Sequence, residues 1–212
     1  MRKTIKIISI GLISLISLLV IIYIIFQIKW NIESSMNMSN LGPEAPIIDI
    51  NGKSFRDLNK NGKLDVYEDT TKDIDKRIED LISQMSIEEK AGSMFITVIG
   101  INEDGSLSEN PTFSNVFSFL FPSSSKMLVN LKMNHFNIMA THKKENMLKW
   151  YNNIQKIGEK SRLGIPITIA SDPRHGVSKS PVTSNTSFFS KWPSALGLAA
   201  IGDSSIVREH AN

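Results

Sequence analysis

The hydrophobic pattern changes character twice along the chain. From Ile7 to Phe26 the run is apolar, with Ser9, Ser14 and Ser17 as its polar members. At about 1.5 Å per residue, twenty residues cross a hydrocarbon layer of about 30 Å. Residues 31–46 are polar, with Gly42 and two prolines, and read as a linker. Beyond them the apolar positions become periodic. Ile74, Ile78, Leu81, Ile82 and Met85 predict a helix over about 72–85. Ser86 and Glu89 fit a capping box that opens a short helix ending near Gly92. Met94–Ile99 reads as a buried strand. Residues 102–125 read as a loop, with Phe113, Phe117, Phe119 and Phe121 packing it onto the body. His135–Ala140 is a second strand. Lys144–Arg162 is a helix with Met147, Tyr151, Ile154 and Gly158 along one face, and Ile165–Ala170 is a third strand. Ser190–Gly202 reads as apolar and turn-like, with a last helix beginning at Asp203.

Strand, helix, strand, helix, strand, helix is the α/β pattern of a parallel sheet. A closed eight-stranded barrel takes about 250 residues, and only about 120 follow the start of the first strand. The expected fold is therefore an incomplete (β/α)8 TIM-type barrel of roughly three strand–helix units. The expected organisation is a signal anchor or transmembrane helix over 1–30, a linker over 31–50 and a truncated barrel domain over 51–212.

Composition narrows this picture. Arg2, Lys3 and Lys6 precede the apolar run, which favours a cytoplasmic amino terminus and an exported remainder. The run is longer than the roughly 7–15 residues of a cleaved signal peptide, and no small-residue cleavage site follows it. An uncleaved anchor through residues 7–26 is the favoured reading and a cleaved signal the other. The protein is expected at the cell membrane with an extracellular domain, or secreted. Trp30 sits where an interfacial anchor would. The net charge of +3 comes partly from these leading cations, and no stripe of basic and aromatic residues suggests nucleic acid. There is no cysteine, which excludes disulfides, thiolate metal sites and a cysteine nucleophile.

Two segments carry chemistry. Residues 57–68 match a calcium loop: Asp57, Asn59 and Asn61 at positions one, three and five, Gly62 at the sharp turn, the Lys63 carbonyl, Asp65, and Glu68 as a bidentate carboxylate. The alternative is a turn whose Asn and Asp side chains bond their own backbone. A structural Ca2+ is the one ion implied, and no cofactor is required for catalysis. In the second segment a strand runs into Asp172-Pro-Arg-His-Gly176. Functional side chains of a parallel barrel gather at the carboxyl ends of its strands, where Asp172 falls. His175 either donates a hydrogen bond to a ligand or braces the loop, and bracing is favoured. Glu88, Glu89, Glu145 and Glu159 fall on helix surfaces and read as solvated charges. His135, His142 and His210 have no metal-ligand spacing.

Four stretches resemble glycoside hydrolase family 3, the β-glucosidases and β-xylosidases. They are Phe55-Arg-Asp-Leu-Asn-Lys-Asn-Gly-Lys-Leu-Asp-Val-Tyr-Glu-Asp69, Leu81-Ile-Ser-Gln-Met-Ser-Ile-Glu-Glu-Lys-Ala-Gly92, Arg162-Leu-Gly-Ile-Pro-Ile-Thr-Ile-Ala-Ser-Asp-Pro-Arg-His-Gly176 and Trp192-Pro-Ser-Ala-Leu-Gly-Leu-Ala-Ala-Ile-Gly-Asp203. The resemblance implies a barrel domain followed by an α/β sandwich domain, and retaining hydrolysis of β-linked glucosides or oligosaccharides. It implies that Asp172 holds the sugar in the subsite before the cleaved bond. It also implies that the nucleophilic aspartate and the acid/base glutamate lie downstream, so that no catalytic residue falls within these 212 residues and the chain by itself is an inactive fragment. The alternative is a membrane-anchored, non-catalytic carbohydrate- or calcium-binding module.

Overall fold

The computed structural model describes residues 2–112, 116–138, 141–170, 193 and 195–211. Helix α1 (Arg2–Ser39) contains the whole apolar run, and none of that stretch is buried within the molecule. It is the one helix among the described residues long and apolar enough to cross a membrane, judged by length and composition. It does not stop at the end of the run. Residues 31–39, expected as linker, continue the same helix, and its last turns pack Met38 against the core, followed by Leu41.

A second difference follows at once. Ile47–Ile50 (β1) and Lys53–Arg56 (β2) form an antiparallel hairpin, where the sequence suggested only linker and turn. Alternation is weak in both four-residue strands, which left little periodic signal. The turn between them places Asn51 and Gly52 at positive φ, as a tight two-residue hairpin demands.

The helices after the hairpin follow their caps. α2 (Ile74–Gln84) starts where the Asp73 carboxylate accepts from the Asp75 amide at 3.1 Å and the Lys76 amide at 3.5 Å. α3 (Ile87–Ser93) has the complete capping box. The Glu89 amide donates to the Ser86 hydroxyl at 3.2 Å, and the Ser86 amide donates to the Glu89 carboxylate at 2.9 Å.

β3 (Ile96–Ile99), β4 (His135–Ile138) and β5 (Thr168–Ala170) form a parallel sheet in the order 3-4-5. Ile96 pairs with His135 and His135 with Thr168, so the three strands start level and end along one edge. The strand expected over 94–99 begins two residues later, and its entry is not buried: Met94, Phe95 and Ile96 are exposed, while Ile99 is fully enclosed. The described residues of 102–125 are more than a loop, and Phe119 and Phe121, expected to pack it onto the body, are exposed, while Phe113 lies outside the described residues. The stretch holds an isolated bridge between Ile101 and Leu107 and a 3-10 turn (Val116–Leu120), and a wide π-helical turn (Lys126–Asn130) follows it.

α4 (Lys144–Lys160) crosses between β4 and β5. Its buried face is Trp150, Ile154, Ile157 and Gly158. Tyr151, expected inward, is 45% exposed, and Trp150 is 1% exposed. The core gathers these side chains with Ile99, Phe136, Ile138, Met127, Leu128 and Ile167. Ala195–Ile201 is helix α5 rather than a turn, and α6 (Ser204–Ala211) follows, its first amides served by the Asp203 carboxylate. Ile154→Ala removes a fully enclosed side chain and should cost about 2–5 kcal/mol, read as a lowered urea midpoint.

Candidate functional site

The carboxyl edge of the sheet is the first place to look for a site, because parallel strands deliver their following residues to one side. Ile99 is level with Ile138, and Asn137 with Ala170. Asp172 and His175 follow β5 but lie outside the described residues. At this edge the ring of His142 meets the Ile101 carbonyl at 3.0 Å, tying the end of β3 to the entry of α4. Thr141, His142, Met147, Trp150 and Ile169 line a cleft of about 560 Å³ beside β5.

The loop 57–68 is described in full. Asp57 accepts from the Asn61 amide at 3.0 Å and from the Gly62 amide at 2.7 Å. Gly62 has φ 77°, which the sharp turn at loop position six requires. The Asn59 and Asn61 side-chain amides both donate to Asp65 at 2.6 Å, and the Lys63 amide donates to the Asn61 side-chain oxygen at 2.8 Å. Glu68 accepts from the Leu58, Asn59 and Asp65 amides at 2.6, 3.1 and 3.0 Å. Asp57 and Glu68 are buried. None of the ion pairs among the described residues involves Asp57, Asp65 or Glu68. No three His, Cys, Asp or Glu side chains there are gathered around a common metal position. Lys60 is the cation that pulls on Asp57 and Glu68, and amides meet the three carboxylates, as in the turn that was the alternative to a calcium loop. The side-chain oxygens of Asp57, Asn59, Asn61, Asp65 and Glu68 are hard donors of the kind that suits Ca2+.

This loop is fastened to the turn that leads into β5. Lys60, at φ 60°, donates to the Glu159 and Ser161 carbonyls at 2.6 Å each, meeting the orphan carbonyls at the end of α4. Burial holds its ammonium below the ordinary lysine range, against the opposing pull of Glu159, Asp57 and Glu68. Tyr67 donates to the Leu163 carbonyl at 3.2 Å. Burial, and then the charge of Glu68, push its phenol well up, so it remains a donor. Gly164 has φ 61°, and a Cβ there would stand 2.9 Å from the Leu58 Cβ, so the close approach of loop and turn depends on glycine.

Two glutamates expected to be solvated charges are structural instead. Glu159 pairs with Arg56 and accepts from the Ala45 amide at 3.0 Å. Glu89 is buried and pairs with Arg162, which also donates to the Gln84 carbonyl at 2.8 Å. The capping box announced one of the bonds to Glu89. The partner 73 residues away carried no local signal.

No family model matches the chain. Curated relatives do. The periplasmic β-glucosidase/β-xylosidase of Dickeya chrysanthemi is 37% identical over 174 residues, 79% of this chain and 25% of that protein. Probable β-glucosidase C of Aspergillus oryzae is 36% identical over 155 residues, 72% of the chain and 23% of the relative. β-Glucosidase C of Emericella nidulans is 34% identical over 157 residues, 73% and 24%. These matches bear out the resemblance read from the motifs: the chain fits an amino-terminal portion of a family 3 glycoside hydrolase. It spans about a quarter of the length of the curated relatives it matches.

Burial pushes the Glu89 carboxyl up, but hydrogen bonds from Arg162 and the Ser86 amide, with the charges of Arg162 and Lys132, outweigh it and hold the group below its ordinary 4.5. The folded chain therefore takes up this proton less readily than the unfolded one. The stabilisation is whole above pH 4.5 and drains away as pH falls through the lower folded value. Glu89→Gln should be less stable than the parent at pH 7 and should flatten the acid limb of its stability curve, measured by urea unfolding from pH 7 to pH 3.

Proposed function

We propose that the chain supplies the opening strand–helix units of a (β/α)8 barrel in a glycoside hydrolase of the β-glucosidase type. The observation that carries this reading is the parallel sheet in sequential order 3-4-5, with the Asp172 motif directly after its third strand. Sequential parallel strands joined through a helix are how such a barrel begins. The named activities of the relatives, on β-glucosides and in one case β-xylosides, give the substrate class.

In this reading Asp172 emerges at the carboxyl edge and its carboxylate accepts from adjacent hydroxyls of a non-reducing-end sugar. His175 donates to the same sugar or holds the Pro-Arg-His-Gly turn in place. Retaining hydrolysis needs a nucleophile and an acid/base about 5–5.5 Å apart. The family resemblance puts the nucleophile in a later strand and the acid/base further downstream, so the 212-residue chain alone does not turn over. α1 is read as the membrane anchor, which puts the body outside the cell. The division proposed is an anchor over 1–30 and a barrel portion over 51–212, joined by the rest of α1 to Ser39 and the first strand of the hairpin. The second reading, an anchored binding module without catalysis, draws support from the intact loop 57–68.

Two experiments test these assignments. In a complete family 3 enzyme carrying residues 51–212 as its opening portion, Asp172→Asn should lower kcat/KM for an aryl β-glucoside about 10- to 100-fold, the worth of a hydrogen bond to a charged acceptor. Turnover of that substrate by the 212-residue chain alone would contradict the assignment. For the loop, Asp57, Asn59, Asn61, the Lys63 carbonyl, Asp65 and Glu68 are proposed to hold a structural Ca2+. Calcium at about 100 times its Kd should then stabilise the fold by about 2.7 kcal/mol, seen as a raised thermal midpoint. Glu68→Gln should abolish that rise, and an unchanged midpoint in the parent would end the calcium assignment.

A further inference from the structure

Helix α1 runs without a break from the apolar stretch into the body, so position along it measures height above the hydrocarbon boundary. Trp30 lies four residues beyond Phe26, about 6 Å along the axis. The interfacial layer on each side of a bilayer is about 5–8 Å deep, so this ring falls within it. Trp30 stacks on Phe26 with centroids 5.6 Å apart and meets Phe119 edge-on at 6.1 Å. Gln27, one residue past the apolar run, donates to the Pro111 carbonyl at 3.0 Å, and Asn110 donates to the Asn31 side-chain oxygen at 2.7 Å. Three residues of α1, Gln27, Trp30 and Asn31, thus set the height of the described residues around 110–112 and 116–121. At that height the surface is apolar: Phe119 is 42% exposed, Leu120 75% and Phe121 38%.

We propose that Phe119, Leu120 and Phe121 form a second membrane contact, seated in the headgroup–acyl boundary of the leaflet from which α1 emerges. The proposal rests on α1 spanning a bilayer. The occupant is lipid because the patch is continuous, through Trp30, with the apolar face of α1, and because aromatic rings favour this layer. The remaining contacts run away from the bilayer. Lys126 pairs with Glu33 at 3.1 Å, and the Asn37 side chain donates to Ser125 at 3.4 Å. Asn40 then lines one cleft with Glu89, about 20 Å beyond Phe26 along the helix axis. Ile87, 74% exposed and two residues from Glu89, therefore lies well beyond the boundary layer.

The absence of cysteine gives a clean test, because one introduced thiol is the only one in the chain. The full chain would be reconstituted in phosphatidylcholine vesicles carrying an environment-sensitive fluorophore at Leu120→Cys, Phe121→Cys, Ile87→Cys or Ile16→Cys. With acyl chains brominated near the headgroup, emission from positions 120 and 121 should fall about twofold, as for a group buried about 5–10 Å into the boundary, and that from position 87 should hold. Bromines placed deep in the chains should quench position 16. If positions 120 and 121 match position 87 while position 16 is quenched, the second contact is overturned and the spanning reading of α1 stands. If position 16 is not quenched either, both fall. Leu120 is largely exposed, so its replacement leaves the fold intact, which circular dichroism checks.

Discussion

The ion pair between Glu89 and Arg162 is the constraint on which the arrangement turns. Glu89 belongs to the first turn of α3, just before β3, and Arg162 to the turn just before β5. Their pairing brings the amino-terminal ends of the outer strands to a common level while β4 lies between them. The same turn receives Lys60 on the α4 carbonyls and Tyr67 on the Leu163 carbonyl. The polar loop, the helix end and the third strand are thereby held as one unit, and the position at which the chain leaves β5 is set.

The energetics explain why carboxylates do this. The Glu89 side chain is 9% exposed and its Arg162 partner 54%, so the acid is enclosed and the base is still wet. Glu159 and Arg56 repeat the arrangement. Half-solvated pairs contribute little net stability, but a carboxylate stripped of water must be matched by donors or it opposes folding. Each glutamate here also accepts a backbone amide, Ser86 for one and Ala45 for the other. Geometry rather than strength is what these contacts supply. The loop 57–68 follows the same rule, its carboxylates satisfied almost entirely by amides.

Much of this was legible in the sequence. The capping box, the helix over 74–84 and three strands in parallel order came from local patterns that the structure repeats. Other features were hidden for physical reasons. The hairpin at 47–56 has strands too short to alternate visibly. Trp150 replaces Tyr151 on the inner face because both lie one residue apart on a helix whose apolar stripe is broad enough to admit either. Glu89 and Glu159 were read as solvated because their partners are distant in sequence, and no periodicity reports a contact across 73 or 103 residues. Asp172 and His175, proposed to hold a sugar, stood out by their place after a β-branched strand, and their geometry lies outside the described residues.

The unbroken course of α1 has a mechanical corollary. Hinges in helices gather at prolines, glycine or serine pairs and inserted groups, and between Phe26 and Ser39 there is neither proline nor glycine and the helix is continuous through Ser34 and Ser35. Gly42 and Pro43 come only after Met38 and Asn37 have already docked on the body. If the apolar half of α1 crosses a bilayer, the body is carried on a mast rather than a tether. It sweeps no volume of its own, and whatever it meets, it meets at a fixed height above the lipid.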